Sequence, residues 1–187
     1  MIRVRNIDQS FSSIARFDWS QVRQLSLLTK NSVLAAGLSY ALTLHIASYL
    51  GPAGFGYYSY ILIVGTFAGM LVSFATENTA PVVMAETKST AEVLSAVWSV
   101  RILFFAVLLL SLPAMMFVDP AIALGTLAVV AGSFNFAFLY EVTARNVTYS
   151  YIYLVERLAY IAAVAGMIYF GVASVPLVFL VMFFSRF

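Results

Sequence analysis

The chain contains no cysteine and a single histidine, His45. It can build neither a disulfide framework nor a thiolate or histidine cluster for zinc or haem, and no cofactor is expected. Charge is scarce as well: 10% of the 187 residues are Asp, Glu, Lys or Arg, and a net charge of +2 gives no basis for nucleic-acid binding. Aspartate is confined to Asp8, Asp18 and Asp119. No G-x-S-x-G, H-E-x-x-H or P-loop motif occurs, and Glu77, Glu86, Glu92, Glu141 and Glu156 show no spacing that pairs two carboxylates for acid–base work. These absences argue against an enzyme.

What fills the chain instead is apolar: 63% of residues are hydrophobic and the mean hydropathy is +0.96, which leaves too little polar surface to cover a soluble domain. Six stretches, 31–50, 57–76, 93–118, 122–140, 157–171 and 175 onward, carry the excess. About 20 apolar residues cross the hydrocarbon core as a helix, because lipid obliges each backbone N–H and C=O to find its partner inside the segment. The expectation is an all-α membrane protein with about six transmembrane helices, the sixth incomplete.

Basic residues set the orientation. Arg3, Arg5, Arg16, Arg23 and Lys30 precede the first span, whereas the turns at 51–56, 119–120 and 171–174 carry none. The positive-inside rule then puts the N-terminus in the cytoplasm. Lys88, Arg101, Arg145 and Arg157 fall toward the inner ends that this alternation requires, and the five glutamates cluster there too, none at mid-span. Tyr57, Tyr58 and Tyr60 read as outer interfacial anchors; Trp19, Trp98, Tyr149, Tyr151 and Tyr153 read as inner ones. Residues 1–30 form a cytoplasmic segment in which Asp18 followed by Trp19, Val22, Leu25 and Leu28 suggests a short interfacial helix. A cleaved signal peptide is rejected, because the apolar stretch starts too far from Met1 and is too long.

Helix contacts in lipid rely on small residues that let backbones approach and on a few polar side chains. Gly65, Gly69 and Ser73 line one face of the second span; Gly125, Ala128, Gly132 and Asn135 line one face of the fourth; Ala159, Ala163 and Gly166 do so in the fifth. Ser32, Ala36, Ser39, Thr43 and Ala47 share a face of the first span. Such stripes serve plain helix packing or the wall of a wet cavity. His45 points away from that stripe and reads as a neutral, locally bonded side chain. Arg101 has two readings: a cation facing the bundle interior, able to hold an anionic headgroup, or one snorkelling to the inner interface. Asn135, an amide on the small-residue face, needs an interhelical partner.

The stretch Tyr49-Leu50-Gly51-Pro52-Ala53-Gly54-Phe55-Gly56-Tyr57-Tyr58 resembles the L-G-P-x-x-[FY]-G-x-[FY] signature of polysaccharide-biosynthesis flippases, the Wzx-like O-antigen and capsule exporters, with Gly51, Pro52 and Gly56 as the matching positions. The polar inner loop at 76–81, Arg101 early in the third span and an Arg-containing inner loop before the fifth extend the likeness over about residues 20–187. The resemblance implies a bacterial cytoplasmic (inner) membrane protein. It also implies translocation of an undecaprenyl-pyrophosphate-linked oligosaccharide during surface-polysaccharide assembly. Members of that superfamily have twelve to fourteen spans in two lobes, so 31–187 reads as a truncated N-terminal lobe whose partner is a second lobe or a second copy. The cations proposed by position are Arg101, Arg145 and Arg157, and the polar lining Asn31, Thr43 and Asn135. Three alternatives remain: a cation-coupled drug exporter, which wants an acid at mid-span; a membrane glycosyl- or phosphotransferase, which wants Asp-rich inner loops; and a non-functional membrane remnant.

Overall fold

A computed structural model of the chain describes residues 19–74, 76–87, 89–135, 137–142 and 145–186. Arg3, Arg5, Arg16, Asp18 and Lys88, which entered the orientation and N-terminal arguments, lie outside the described residues. All regular structure among those described is helical: α1 (Trp19–Ser73), α2 (Thr76–Thr87), α3 (Thr90–Val118), α4 (Pro120–Ala131), a 3-10 turn (Gly132–Phe134), α5 (Ala137–Val142), α6 (Asn146–Tyr169) and α7 (Val175–Phe184). Three stretches are long and apolar enough to cross a membrane, Val22–Met84, Thr90–Val118 and Asn146–Tyr169, and Pro120–Phe134 and Val175–Phe184 are shorter apolar helices.

The first of these is broken at one residue. Gly51 sits at φ 68°, ψ 177°, a conformation that a side chain would strain, and Pro52 follows it, where a missing N–H costs nothing at a helix start. Ser39 and Thr66 line one 220 Å³ cavity although uninterrupted helix would hold them about 40 Å apart. The arms 19–50 and 52–73 therefore double back on each other. The hairpin was expected to carry a loop at 51–56, but helix resumes at Pro52, and Gly54 and Gly56 belong to the second arm's opening turns. Nothing lies within 4 Å of where a Cβ on Gly56 would be.

Three further boundaries differ from expectation. The short interfacial helix is no separate element: Trp19, Val22, Leu25 and Leu28 are the first turns of α1, with no break before Asn31. The fourth span is not continuous, because after α4 the backbone tightens into a 3-10 turn and goes extended at Asn135 (φ −72°, ψ 159°). The Asn135 amide drives this: Nδ2 donates to the Gly132 carbonyl at 2.8 Å, and Oδ1 accepts from the Ala137 N–H at 3.1 Å, which offers the backbone an alternative to the helical ladder. The fifth helix starts at Asn146 rather than Arg157, so Tyr149, Tyr151 and Tyr153 lie within α6.

The core joins both arms of α1 (Leu42, Ile46, Tyr58, Ile61) to Ala128 of α4, Tyr160 and Val164 of α6, and Val178, Phe179 and Met182 of α7. Close approach at glycine makes this possible. A Cβ on Gly65 would fall 2.7 Å from Val129, and one on Gly125 would fall 2.1 Å from Ile61 and 3.2 Å from Phe179, so α4 lies in a groove that admits only hydrogen at those two positions. Gly69 abuts Ser133, whose Oγ donates to the Gly69 carbonyl at 3.1 Å. Gly166 is different: no atom lies within 4 Å of a Cβ there, so its expected packing contact is absent. The face of the first arm that is buried runs through Asn31, Ala35, Leu42 and Ile46, one position off the expected stripe. Ser39 and Thr43 of that stripe line the cavity between the arms instead. Outward, Leu103, Leu110 and Phe117 of α3 are exposed, Phe117 at 93%, the kind of surface that lipid solvates and water does not.

Candidate functional site

Two polar constellations stand out in this apolar body. The first is the socket of Arg101. Its relative exposure is 1%, so it faces the interior and does not snorkel. Helix α3 carries it to the depth at which the α4 ladder ends, and there the guanidinium takes the place of the missing helical donors: Nη1 donates to the Ser133 and Asn135 carbonyls, the latter at 3.0 Å. Nε donates to Thr76 Oγ1 at 2.9 Å, and Nη2 pairs with Glu77 Oε1 at 3.9 Å. Asn135 Nδ2 reaches the same Glu77 oxygen at 3.4 Å, the interhelical partner its amide was expected to need. Thr76 and Glu77 are positioned by the turn at Phe74, whose left-handed φ of 38° is held by stacking on Phe104 at 4.8 Å. Arg101 thus binds three chain segments to one another, and its donors are directed at protein.

The second constellation is a cavity of about 530 Å³ bounded by α6, the 3-10 turn, α5 and the end of α7. It holds Arg157, Arg186 and Glu156, with Tyr140, Tyr149, Tyr153 and Asn135 on its walls. Arg157 and Arg186 also line the 220 Å³ cavity between the α1 arms, together with Ser39, Thr43 and Thr66. Tyr149 and Tyr153 border a further 490 Å³ space that contains Asn31, whose Nδ2 donates to Ser150 Oγ at 3.0 Å. Aromatic rings aim one cation: Arg157 Cζ lies 5.8 Å from the Tyr153 ring centre and 6.0 Å from that of Tyr160. Its buried Nε has no hydrogen-bond partner among the described residues. Arg186 points its Nη1 at Gly132, where any Cβ would collide with it, and among the described residues its one hydrogen bond is long, Nη1 to the Val129 carbonyl at 3.4 Å. Each guanidinium carries five N–H donors, so both keep donors that can turn toward an anion in the cavity.

Of the residues proposed by position, Asn31, Thr43, Asn135 and Arg157 line these adjoining cavities. Arg101 is buried in its own socket, and Arg145 is exposed at the start of α6, bordering none of the three. Gly132, assigned to helix packing, packs against a guanidinium rather than a helix. Two residues were missed. Arg186 lacked any contextual signal, being a cation after an apolar run. Glu156 was placed at an inner helix end, yet it lies ten residues, about 15 Å, along the 24-residue α6. Glu156 therefore lies well inside a helix and not at its end, and the signal was the apolar content between Asn146 and Glu156, which reads in the sequence as an interfacial belt.

At the end of the bundle where α1 reverses, the Tyr57 hydroxyl donates to the Asp119 carboxylate, and Asp119 Oδ1 accepts from the Ala121 N–H at 2.8 Å as the N-cap of α4. The Tyr57 bond, more than the backbone one, holds the Asp119 carboxyl below its usual range. Among the described residues no group of three or more His, Cys, Asp or Glu side chains could hold a metal ion. No protein-family model, curated protein or solved structure matches the chain.

Proposed function

We propose that the chain is one wall of a membrane translocator for a lipid-linked oligosaccharide, holding the anionic pyrophosphate of that lipid between Arg157 and Arg186. The observation that carries this reading is the 530 Å³ cavity in which those two cations stand beside tyrosines, inside a body otherwise apolar. Tyrosine edges and hydroxyls suit sugar, guanidinium suits phosphate, and the apolar 490 Å³ space alongside suits the tail. In this reading the helices cross a bacterial inner membrane with the N-terminus inside. Arg23, Lys30 and Arg145 then lie on one side, and the turns at Gly51, Asp119 and Gly171–Ser174, which carry no basic residue, on the other. A single bundle offers one wall, and alternating access closes it against a second bundle, a further lobe or a second copy. The resemblance around Gly51, Pro52 and Gly56 points the same way.

Binding tests this directly. Detergent-solubilised protein is titrated with a short-chain polyprenyl pyrophosphate, followed by thermophoresis. Replacing Arg157 by Gln removes charge-assisted bonds of about 1.5–3 kcal/mol, so affinity drops about 10- to 150-fold. Arg145→Gln leaves it unchanged. Equal affinities for wild type and Arg157→Gln would remove the basis of the proposal. A second reading, a cation-coupled exporter, gains support from Glu156 standing at mid-helix in the same cavity.

A further inference from the structure

We infer that Glu156 couples anion binding in this cavity to uptake of one proton, its carboxylate and the anion competing for Arg157 and Arg186. The inference rests on the anion-binding reading and adds how that site is regulated. Glu156 and Arg157 are adjacent in α6, and both line the cavity that Arg186 closes from the end of α7. Among the described residues the one ion pair is Arg101 with Glu77; Glu156 shares the cavity with two guanidiniums and forms an ion pair with neither. Such an arrangement has three charges and room for a fourth. Without a ligand, an ionised Glu156 partly balances the two cations. A doubly charged anion seated between the guanidiniums supplies that balance itself and repels the carboxylate, which then takes a proton from the solvent and becomes a neutral acid.

The other groups facing this space do not substitute for Glu156. Tyr140 from α5 and Tyr149 and Tyr153 from α6 bring phenol hydroxyls, and no second carboxylate among the described residues lines this cavity. Glu77 reaches Arg186 only from the far side, across a separate 240 Å³ space, and already serves Arg101 and Asn135. The sign follows from the linkage. A bound anion raises the Glu156 pKa, so affinity is full below the pKa of the free protein. It falls as pH rises toward the pKa of the complex, by at most about tenfold per pH unit for one proton, and is flat above that. An anion taken up on the more acidic side of a membrane is accordingly released on the less acidic side.

Calorimetry of the full chain in detergent provides the test, with sodium sulfate as a divalent anion that does not titrate between pH 4.5 and 8, and short-chain phosphatidylglycerol as a lipid phosphodiester. Two buffers of different ionisation enthalpy count the protons. The expected result is uptake approaching one proton per sulfate in wild type. Glu156→Gln should bind at the wild-type low-pH affinity with no uptake and no pH slope, and Glu156→Asp should keep the uptake. A lipid arm that shows the same linkage identifies the anion as a headgroup; linkage with sulfate alone identifies a free anion, and either supports the coupling. Binding with the same pH slope in wild type and Glu156→Gln overturns the coupling and leaves the anion site standing. Absence of saturable binding by either anion at any pH overturns the site and the coupling together.

Discussion

Replacing Arg101 by Ala should cost more than any other single truncation in the chain. The side chain supplies hydrogen bonds to two carbonyls at the α4 break and to Thr76 Oγ1, and its removal leaves the Ser133 carbonyl and Thr76 Oγ1 buried without that donor and the Asn135 carbonyl part-buried. Polar bonds inside membrane proteins average about 0.6 kcal/mol in double-mutant cycles, whereas a buried acceptor left bare costs about 1–3 kcal/mol. Glu77 is 46% exposed, so its lost ion pair adds little. The expected loss is about 2–5 kcal/mol, read as a shift in detergent-driven unfolding of the reconstituted chain. Hydrogen exchange should localise the damage to the amides around Phe134 and Ala137, since that is where the unsupported turn frays. Arg101→Lys, which has no second nitrogen to donate to Thr76 Oγ1 while the first serves the Ser133 and Asn135 carbonyls, should recover less than half of the stability. A loss below about 0.5 kcal/mol in Arg101→Ala, with unaltered exchange at those amides, would refute the view that the guanidinium completes the broken helix.

Other outcomes follow from the same geometry. Gly125→Leu should fail to give a folded monomer by size-exclusion and unfolding assays, because even a Cβ there meets Ile61 at 2.1 Å, while Gly166→Ala should be neutral or stabilise by up to about 1 kcal/mol. Gly51→Ala should destabilise by about 1–2 kcal/mol in the same assay, the strain of a side chain at φ 68°. Asp119 has a folded pKa below its ordinary 3.8, so its contribution is complete above that value and is lost as pH falls through the depressed one. Melting temperature should decline below about pH 4, and Asp119→Asn, which keeps the cap on α4, should flatten that decline. Gly132→Ala should displace Arg186 from its seat and weaken sulfate binding several-fold without unfolding the chain, because the atom in the way is the tip of a flexible side chain.

Apolar content made the helices readable in the sequence, and the glycines made half of their contacts so. Gly65 and Gly125 could be assigned to packing because only close backbone approach rewards a bare Cα within an apolar run. Gly166, in a similar small-residue stripe, has nothing within 4 Å of where a Cβ would be, so spacing alone does not report what stands opposite. The fourth helix shows the limit more sharply. Its composition is that of one continuous span, and the break depends on an Asn135 amide that competes with the backbone and on an Arg101 supplied by another helix. The candidate site was half readable: Asn31, Thr43, Asn135 and Arg157 were nominated by polarity within or beside apolar runs. Glu156 and Arg186 were missed because depth along a helix is set by where it starts, and the start of α6 was misplaced by eleven residues, from Asn146 to Arg157.

The single-residue reversal at Gly51 makes the two arms of α1 a pair of tweezers joined at one tip. With no slack in the joint, angular play at the pivot becomes displacement in proportion to distance along the limb. Ser39 lies about 18 Å and Asn31 about 30 Å from Gly51, so a splay of about 5° moves them by about 1.6 Å and 2.6 Å. The latter is enough to part Asn31 from Ser150, now 3.0 Å apart, and so to unfasten the limb from α6 at the rim where Leu28 and Tyr153 stand.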